Sequence, residues 1–398
     1  MKSKHKYTRV RILLSIMVLG SMTLGITTAF SKDWPQWGRN SQHTGAVNVA
    51  GQNLHRILAN HIYDPFAEAE KGDPDGEGSL PVHYQAALVD GSDVYMMAKT
   101  GEFTGIGSWE TQIWNEKKYS WLGGSLIEQW NFESDWKPVP NADLVLFFQP
   151  VFHAALDGKF VYVPGAGGTV FKVRKSNGSV VTRLNPFGSG EGLQSNTFVI
   201  SPITVDGEGS IYYTVMRMRK NDPWFGDPVN SWLVKITADG GISKKQFTDI
   251  VIGATPANEP CEVGFPDIGA PLPPAPDAVA PTFPCGTVRP AINAAPAIGP
   301  DGTVVVIARN HVVTRHGYIV ALNPDLTPKW TASTRNVLND GCNVTIPPNG
   351  TPGGCRVGTT TGVDPETNTR GSGRINDNST SSPVIAPDGS VFYGSQSR

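Results

Sequence analysis

Two stretches gather the side chains best suited to hold a ligand. In ARNHVVTRHGY, residues 308–318, Arg309, His311, Arg315 and His316 crowd into one short region. Arginine offers planar, bidentate donors to a carboxylate or phosphate, and histidine titrates near neutrality or ligates a metal. Such a set suits an anion or cofactor contact. No acidic neighbour or metal-ligand spacing accompanies it, so a solvated polar turn is the competing reading. In RMRKNDPWFGDP, residues 217–228, Arg217, Arg219 and Lys220 precede Trp224 and Phe225. Cations beside aromatic rings can hold a planar or anionic group by stacking and cation–π contact, or the rings can pack the loop onto its own sheet. The stretch DPDGEG, with Asp73, Asp75 and Glu77, begins like a calcium loop but lacks the closing bidentate Glu, which favours a solvated turn. No nucleophile elbow, zinc-protease helix, phosphate loop or dinucleotide fingerprint occurs at a suitable junction. Catalytic residues are left unassigned and no metal site is expected.

The first 31 residues stand apart from the fold. Lys2, Lys4, Lys6, Arg9 and Arg11 precede an apolar run from Ile12 to Phe30, followed by small residues, as in a cleaved secretory signal. An uncleaved anchor is the alternative, since the run is just long enough to span a bilayer. Five of the 33 basic residues and no acidic ones lie in this segment, leaving 28 against 35, a net charge of −7. A mildly acidic exported chain without a basic block does not suit nucleic acid, which needs clustered cations. The expected location is periplasmic or extracellular, with no stable membrane span after cleavage. An even set of four cysteines then favours disulfides. Proximity pairs Cys261 with Cys285 and Cys342 with Cys355, while the absence of CxxC spacing argues against a zinc site.

These residues must be positioned by a β-rich scaffold. With 44 Gly, 32 Pro, ten Trp and 39% hydrophobic residues, the chain is too broken for a helical protein and too apolar for disorder. One phrase recurs: an apolar run, Asp-Gly, then alternating Val, Ile, Tyr and Phe. It occurs at 82–99, 151–165, 198–215, 294–308 and 381–398. Asp-Gly between two such runs signals a β-hairpin. A third and fourth strand follow at 167–184, 230–247 and 317–333. Four antiparallel strands in about 40 residues, repeated, mark a propeller blade. The predicted fold is therefore an all-β propeller over residues 32–398, with about four to five blades visible. Blades are expected near 82–136, 149–186, 197–250, 291–334 and 380–398. The last copy supplies two strands, so either residues such as 54–64 complete it or the sequence is a piece of a longer chain.

In a four-stranded meander the connections alternate between ends. First-to-second and third-to-fourth turns are short here, whereas 100–112, 216–230, 251–290 and 335–379 all fall in the other group. Long connections in compact domains are often functional. A loop-bearing face opposite a plain one is expected. Trp34 and Trp37 in DWPQWGRNSQHTG are read as structural, covering a strand edge.

The sequences PDGTVVV, GYIVALNPD and the KW that follows resemble repeats of pyrroloquinoline-quinone-like (PQQ-like), quinoprotein-type β-propellers, and DWPQWGRNSQHTG is similar to the opening segment of many secreted members. The resemblance departs at Pro328, where a Gly is common. It implies a scaffold with many uses. One is a non-catalytic secreted protein that binds a protein, polymer or small ligand on its loop-bearing face and needs no cofactor. The other is a dehydrogenase of alcohols or sugars using PQQ polarised by Ca²⁺. Large dehydrogenases of this family stack the quinone on a disulfide of adjacent cysteines, which this sequence lacks. The ligand-binding candidates are Arg217, Arg219, Trp224, Arg309, His311, Arg315 and His316.

Overall fold

A computed structural model describes residues 33–48, 57–76, 78, 84–107, 109–138, 150–188, 193–220, 226–271, 274–275, 277–337, 364, 366–377 and 381–395. The described chain is built almost wholly of antiparallel β-meanders. The first sheet comprises β1 (Leu88–Asp90), β2 (Asp93–Gly101), β3 (Gln112–Leu122) and β4 (Ser125–Ser134) in sequence order. The second comprises β5 (Ala155–Asp157), β6 (Phe160–Pro164), β7 (Val170–Arg174) and β8 (Val180–Leu184). In the third, β9 (Thr197–Val199) and β10 (Thr204–Val205) both pair with β11 (Ile211–Arg217), followed by β12 (Asn230–Ile236) and β13 (Ile242–Gln246). A small ribbon of β14 (Pro260–Glu262) and β15 (Thr282–Pro284) precedes the fourth sheet. There β16 (Val288–Pro290) and β17 (Ala297–Ile298) share β18 (Val304–Asn310), and β19 (Gly317–Leu322) and β20 (Pro328–Ser333) complete it. The pair β21 (Val384–Ile385) and β22 (Val391–Phe392) forms a fifth. These are propeller-type blades, and the split first strands have a local cause. Pro202 and Pro296 lack the N–H that a continuous ladder requires.

In the second, third and fourth sheets the last strand is the least buried. In β11 and β12 nearly every residue is buried, because both faces are covered by neighbouring sheets. The outer strands β13 (ISKKQ) and β20 (PKWTAS) are largely exposed. Their lysines and Pro328 protect the open edges against further pairing. The main apolar cluster runs through the first three sheets and a second joins the third to the fourth. A chain of rings, Trp109, Trp114, Trp136 and Phe152, links the first sheet to the second with centroids 6.1, 5.4 and 5.5 Å apart.

The segment Asp33–Gly45 acts as a hub. Trp34 exchanges both backbone hydrogen bonds with Val89 on β1 at 2.9 Å, and Leu156 N on β5 donates to Pro35 O at 2.7 Å. The Gln36 amide mimics a strand toward β10, accepting from Val205 N at 2.6 Å and donating to Val205 O at 3.0 Å. Ile298 N on β17 donates to Ser41 O at 2.7 Å, and Ile385 N on β21 donates to Gln42 O at 2.9 Å. One peptide thus satisfies the first strand of all five sheets. Trp37 packs edge-on against His153, 5.6 Å between centroids. The hub therefore does more than cover one strand edge.

Residues 57–64 do not complete the fifth sheet but lie on the first. Lys99 N donates to Tyr63 O at 2.7 Å, and Tyr119 Oη lies 2.9 Å from His61 Nε2. The buried Lys99 ammonium pairs with Asp64 at 2.9 Å and with Glu70 on α1 (Ala67–Gly72). Asp73 accepts the backbone N–H groups of Asp75 at 3.0 Å and Ile106 at 3.1 Å, serving as a loop brace. Glu77 and residues 54–56 lie outside the described residues.

Glu116 on β3 is fully buried. Its Oε1 accepts from Gln85 Nε2 at 3.0 Å, Gln85 Oε1 accepts from Ala154 N at 2.8 Å, and Oε2 has no hydrogen-bond partner. Burial pushes this carboxyl up to about 8, against which the Gln85 bond works only in part. The folded protein holds a proton that the unfolded chain releases above its ordinary value of 4.5. The stabilisation is complete below 4.5 and is lost as pH rises through 8. Each pH unit in that window is worth about 1.4 kcal/mol. Glu116→Gln should therefore gain stability relative to the wild type as pH rises, by up to about 4 kcal/mol at pH 8.5. Urea unfolding of both proteins at pH 5 and pH 8.5 checks this, and an unchanged difference would show that Glu116 ionises freely.

Candidate functional site

The antiparallel order fixes which connections share an end. The turns β1–β2, β3–β4, β5–β6, β7–β8, β12–β13 and β19–β20 lie at one end, where Lys175 pairs with Asp90 at 2.6 Å and Lys235 Nζ donates to Pro324 O at 2.9 Å. The β2–β3, β6–β7, β11–β12 and β18–β19 turns, with the sheet-to-sheet crossings, lie at the other. A cleft of about 280 Å³ opens at that second end, where the first three sheets meet.

Three connections build the cleft. The β2–β3 turn brings Trp109 and Glu110, the end of β4 brings Asp135, Trp136 and Lys137, and the β6–β7 turn brings Gly165, Ala166 and Gly167. Ser195, Thr197 and Phe198 enter from the start of the third sheet. Trp109, Trp136 and Phe198 are buried and make the floor, whereas Glu110, Asp135 and Ser195 stand exposed at the rim. Each wall is fixed from behind. Trp136 Nε1 donates to Val199 O at 3.3 Å, and Ser134 Oγ donates to Pro164 O at 2.6 Å. Asp135 accepts the Ala166 N–H at 2.9 Å and pairs with Arg183. Gly165 is required because a Cβ there would stand 2.8 Å from Thr169 Oγ1 and 2.9 Å from the Phe171 ring. The Lys137 ammonium donates to Gln112 O and lies 5.6 Å from the Trp114 centroid. Burial lowers its pKa, opposed by Glu110 and Asp135.

The sequence candidates are distributed differently. Arg217 reaches the cleft wall through Thr197, whose Oγ1 accepts its Nε–H at 2.9 Å, while its guanidinium lies 5.5 and 5.4 Å from the Phe187 and Trp232 centroids. Arg219 donates to Asp227 O at 2.9 Å on the exposed β11–β12 connection. Trp224 lies outside the described residues. The other four serve the fourth sheet from within. Asp377 accepts from Arg289 Nη1 and Nη2, at 2.9 and 2.7 Å, and from Arg309 Nη1 at 3.0 Å. His311 Nδ1 accepts from Arg289 Nε at 2.9 Å. Burial alone would raise the Asp377 carboxyl, but Arg289 and Arg309 overcome it and hold it at about 2. Arg315 pairs with Asp364, 3.5 Å away, and with Glu366. The acidic partners missing from the local sequence arrive from the connection that follows β20.

His316 Nδ1 lies 3.0 Å from Cys261 Sγ and 3.2 Å from Thr255 Oγ1, and burial lowers its pKa to about 4. Cys261 and Cys285 form a disulfide, as proximity predicted, and Cys342 and Cys355 lie outside the described residues. Among the described residues, Cys261, Cys285 and His316 are the one three-donor set close enough to hold a metal. Two of its donors are joined to each other, and sulfur and imidazole do not suit Ca²⁺, which takes oxygen ligands. This set therefore does not suit Ca²⁺.

No protein-family model matches the sequence, and no curated protein matches it. Solved structures similar to it include a quinohemoprotein alcohol dehydrogenase from Comamonas testosteroni, at 13% identity and a TM-score of 0.44, covering 90% of this chain and 44% of that one. A europium-containing methanol dehydrogenase follows at 12% identity and 0.43, covering 77% and 50%. BamB from Moraxella catarrhalis, at 15% and 0.29, covers 63% of each chain. The chain spans half or less of the length of these two dehydrogenases. The four-stranded antiparallel sheets agree with the blades read from the sequence. No helix among the described residues is long and apolar enough to cross a membrane.

The cleft residues escaped the sequence reading because they are scattered. Trp136, Lys137 and Pro138 follow a strand directly, and the glycine run at 165–168 sits at a β6–β7 turn. Those glycines were the available signal for a close approach of backbone.

Proposed function

We propose that this chain is an exported, non-catalytic propeller that binds its ligand at the end where the long connections gather, in the cleft floored by Trp109, Trp136 and Phe198. The observation that carries the reading is the cleft itself, apolar below and polar at its rim, in the arrangement small-molecule sites favour. The leader-like first 31 residues support export. The competing cluster around Arg309 and Arg315 has its charge met by Asp377, Asp364 and Glu366, which leaves it a bracing role.

Filling the cleft tests the proposal. Ser195 is exposed at the rim, so Ser195→Trp can occupy the space without disturbing the core. In saturation-transfer NMR with a panel of N-acetyltryptophan amide, indole and neutral monosaccharides, at least one compound should respond with the wild type and be lost with Ser195→Trp. Melting of the variant should be unchanged. No response from any compound, or an undiminished response in the variant, overturns the site. Saturable binding of the quinone with Ca²⁺ and dye reduction by alcohols would overturn the non-catalytic reading.

A further inference from the structure

The corner where β14 and β15 meet the fourth sheet brings two sulfurs and an imidazole together. Cys261 lies on β14, Cys285 directly follows β15, and His316 directly precedes β19. All three are buried, and their donor atoms lie within 4.8 Å of one another. His316 Nδ1 faces Cys261 Sγ at 3.0 Å, and Thr255 Oγ1 stands 3.2 Å from the same nitrogen. Two sulfurs and an imidazole nitrogen are a zinc donor set, whose fourth position takes water or another oxygen. The disulfide keeps both sulfurs from a metal. The donors do not depend on that bond for their places. Cys285 N donates to Glu259 O at 3.0 Å, Gly286 N to Ala257 O at 2.9 Å and Val263 N to Pro281 O at 2.9 Å, which closes the ribbon by backbone alone. Asn310 Nδ2 donates to Gly286 O at 2.7 Å and to Thr255 O at 2.9 Å, and its Oδ1 accepts from Tyr318 Oη at 2.9 Å. Tyr318 Oη in turn accepts the Thr255 N–H at 2.9 Å. One amide thus braces both flanks of the corner, as outer hydrogen bonds do around metal ligands.

We propose that this corner is a zinc site gated by its disulfide, closed while the sulfurs are joined and open to Zn²⁺ once they are reduced. A dithiol supplies the two electrons. Its own thiols become a disulfide, the Cys261–Cys285 bond breaks, and each cysteine gains a hydrogen. Zn²⁺ then displaces both thiol protons and binds two thiolates and His316 Nδ1, with Thr255 Oγ1 beside the remaining position. The disulfide joins the ribbon only to itself, whereas the ion would also tie it to the fourth sheet through His316. Bound zinc would hold the two sulfurs as thiolates and so protect them from rejoining. The site owes nothing to the cleft and stands or falls separately from it.

The test uses the full chain carrying Cys342→Ser and Cys355→Ser, so that no other thiol competes. It is reduced with dithiothreitol in urea and returned to buffer without oxygen by gel filtration, and an untreated sample serves as the oxidised form. Co²⁺ is the probe, because the four-coordinate ion with sulfur ligands is strongly coloured and the six-coordinate ion is not. The reduced chain should bind one Co²⁺ with intense visible bands and a near-ultraviolet sulfur charge-transfer band, both bleached by Zn²⁺, and the oxidised chain should show neither. Zn²⁺ should raise the melting temperature of the reduced chain alone, since it binds the folded form. His316→Gln should weaken Co²⁺ binding about tenfold or more and shift the visible bands. Cys285→Ser, a second variant, should shrink the sulfur band. Near-ultraviolet circular dichroism shows which samples are folded. A folded reduced chain without the sulfur band, an equal response from the oxidised chain, or unmoved affinity and bands in His316→Gln overturns the site. A reduced chain that stays unfolded with Zn²⁺ present overturns it as well.

Discussion

Gly38→Ala should destabilise the protein by about 3 kcal/mol or more, whereas Gly45→Ala should cost only about 1–2 kcal/mol. Both glycines have φ near +60°, so both substitutions incur the strain of a left-handed backbone. They differ in surroundings. A Cβ on Gly38 would stand 2.6 Å from His43 Cβ and 2.7 Å from His43 Cα, while nothing lies within 4 Å of one on Gly45. His43 cannot yield easily, since its Nδ1 is 2.8 Å from Pro383 O and its ring is buried. The backbone would have to open instead. Its two limbs carry Gln36 on one side and Ser41 and Gln42 on the other, so displacement loosens the third, fourth and fifth sheets together. Urea unfolding at neutral pH measures both variants. Equal costs would show that the hub is a passive cover.

Asp377→Ala should cost about 3–5 kcal/mol, because removing one side of a buried ion pair leaves the other charge without compensation. Two buried guanidiniums, those of Arg289 and Arg309, lose this carboxylate. Ile292 N also loses its acceptor at 3.2 Å. Asp377→Asn keeps an acceptor but not the charge and should cost less. The pH dependence has a definite sign. The folded carboxyl sits at about 2 against an ordinary 3.8, so its contribution is present above 3.8 and is lost as pH falls through 2. Denaturant unfolding at pH 7 and pH 2.5 should therefore show the gap between wild type and Asp377→Ala shrinking in acid. A cost below about 1 kcal/mol at pH 7 would place Asp377 among ordinary surface pairs.

Both variants act through contacts that no local pattern announces. The Asp-Gly hairpins, the alternating strands and the short-range Cys261–Cys285 pair were legible because each depends on residues close in sequence. Gly91 and Gly158 reach positive φ within their own turns, and strand alternation is a period of two along one stretch. The hub was recognisable as a distinctive segment, yet its partners lie far along the chain. Gln36 meets Val205 across 169 positions, and Gln42 meets Ile385 across 343.

The same distinction divides the candidate residues. Arg309 and Arg315 looked unpartnered because Asp377, Asp364 and Glu366 follow on a distant connection. The cleft drew on Trp109, Trp136, Ala166 and Phe198, each ordinary in its own stretch, and became a site where three sheets set them side by side. Sequence determined the strands and turns of this protein, since backbone preference and alternation are set by near neighbours. Tertiary structure alone decided which charges cancel, which edges the hub satisfies and where the cleft opens, because those depend on packing between segments that the chain keeps far apart.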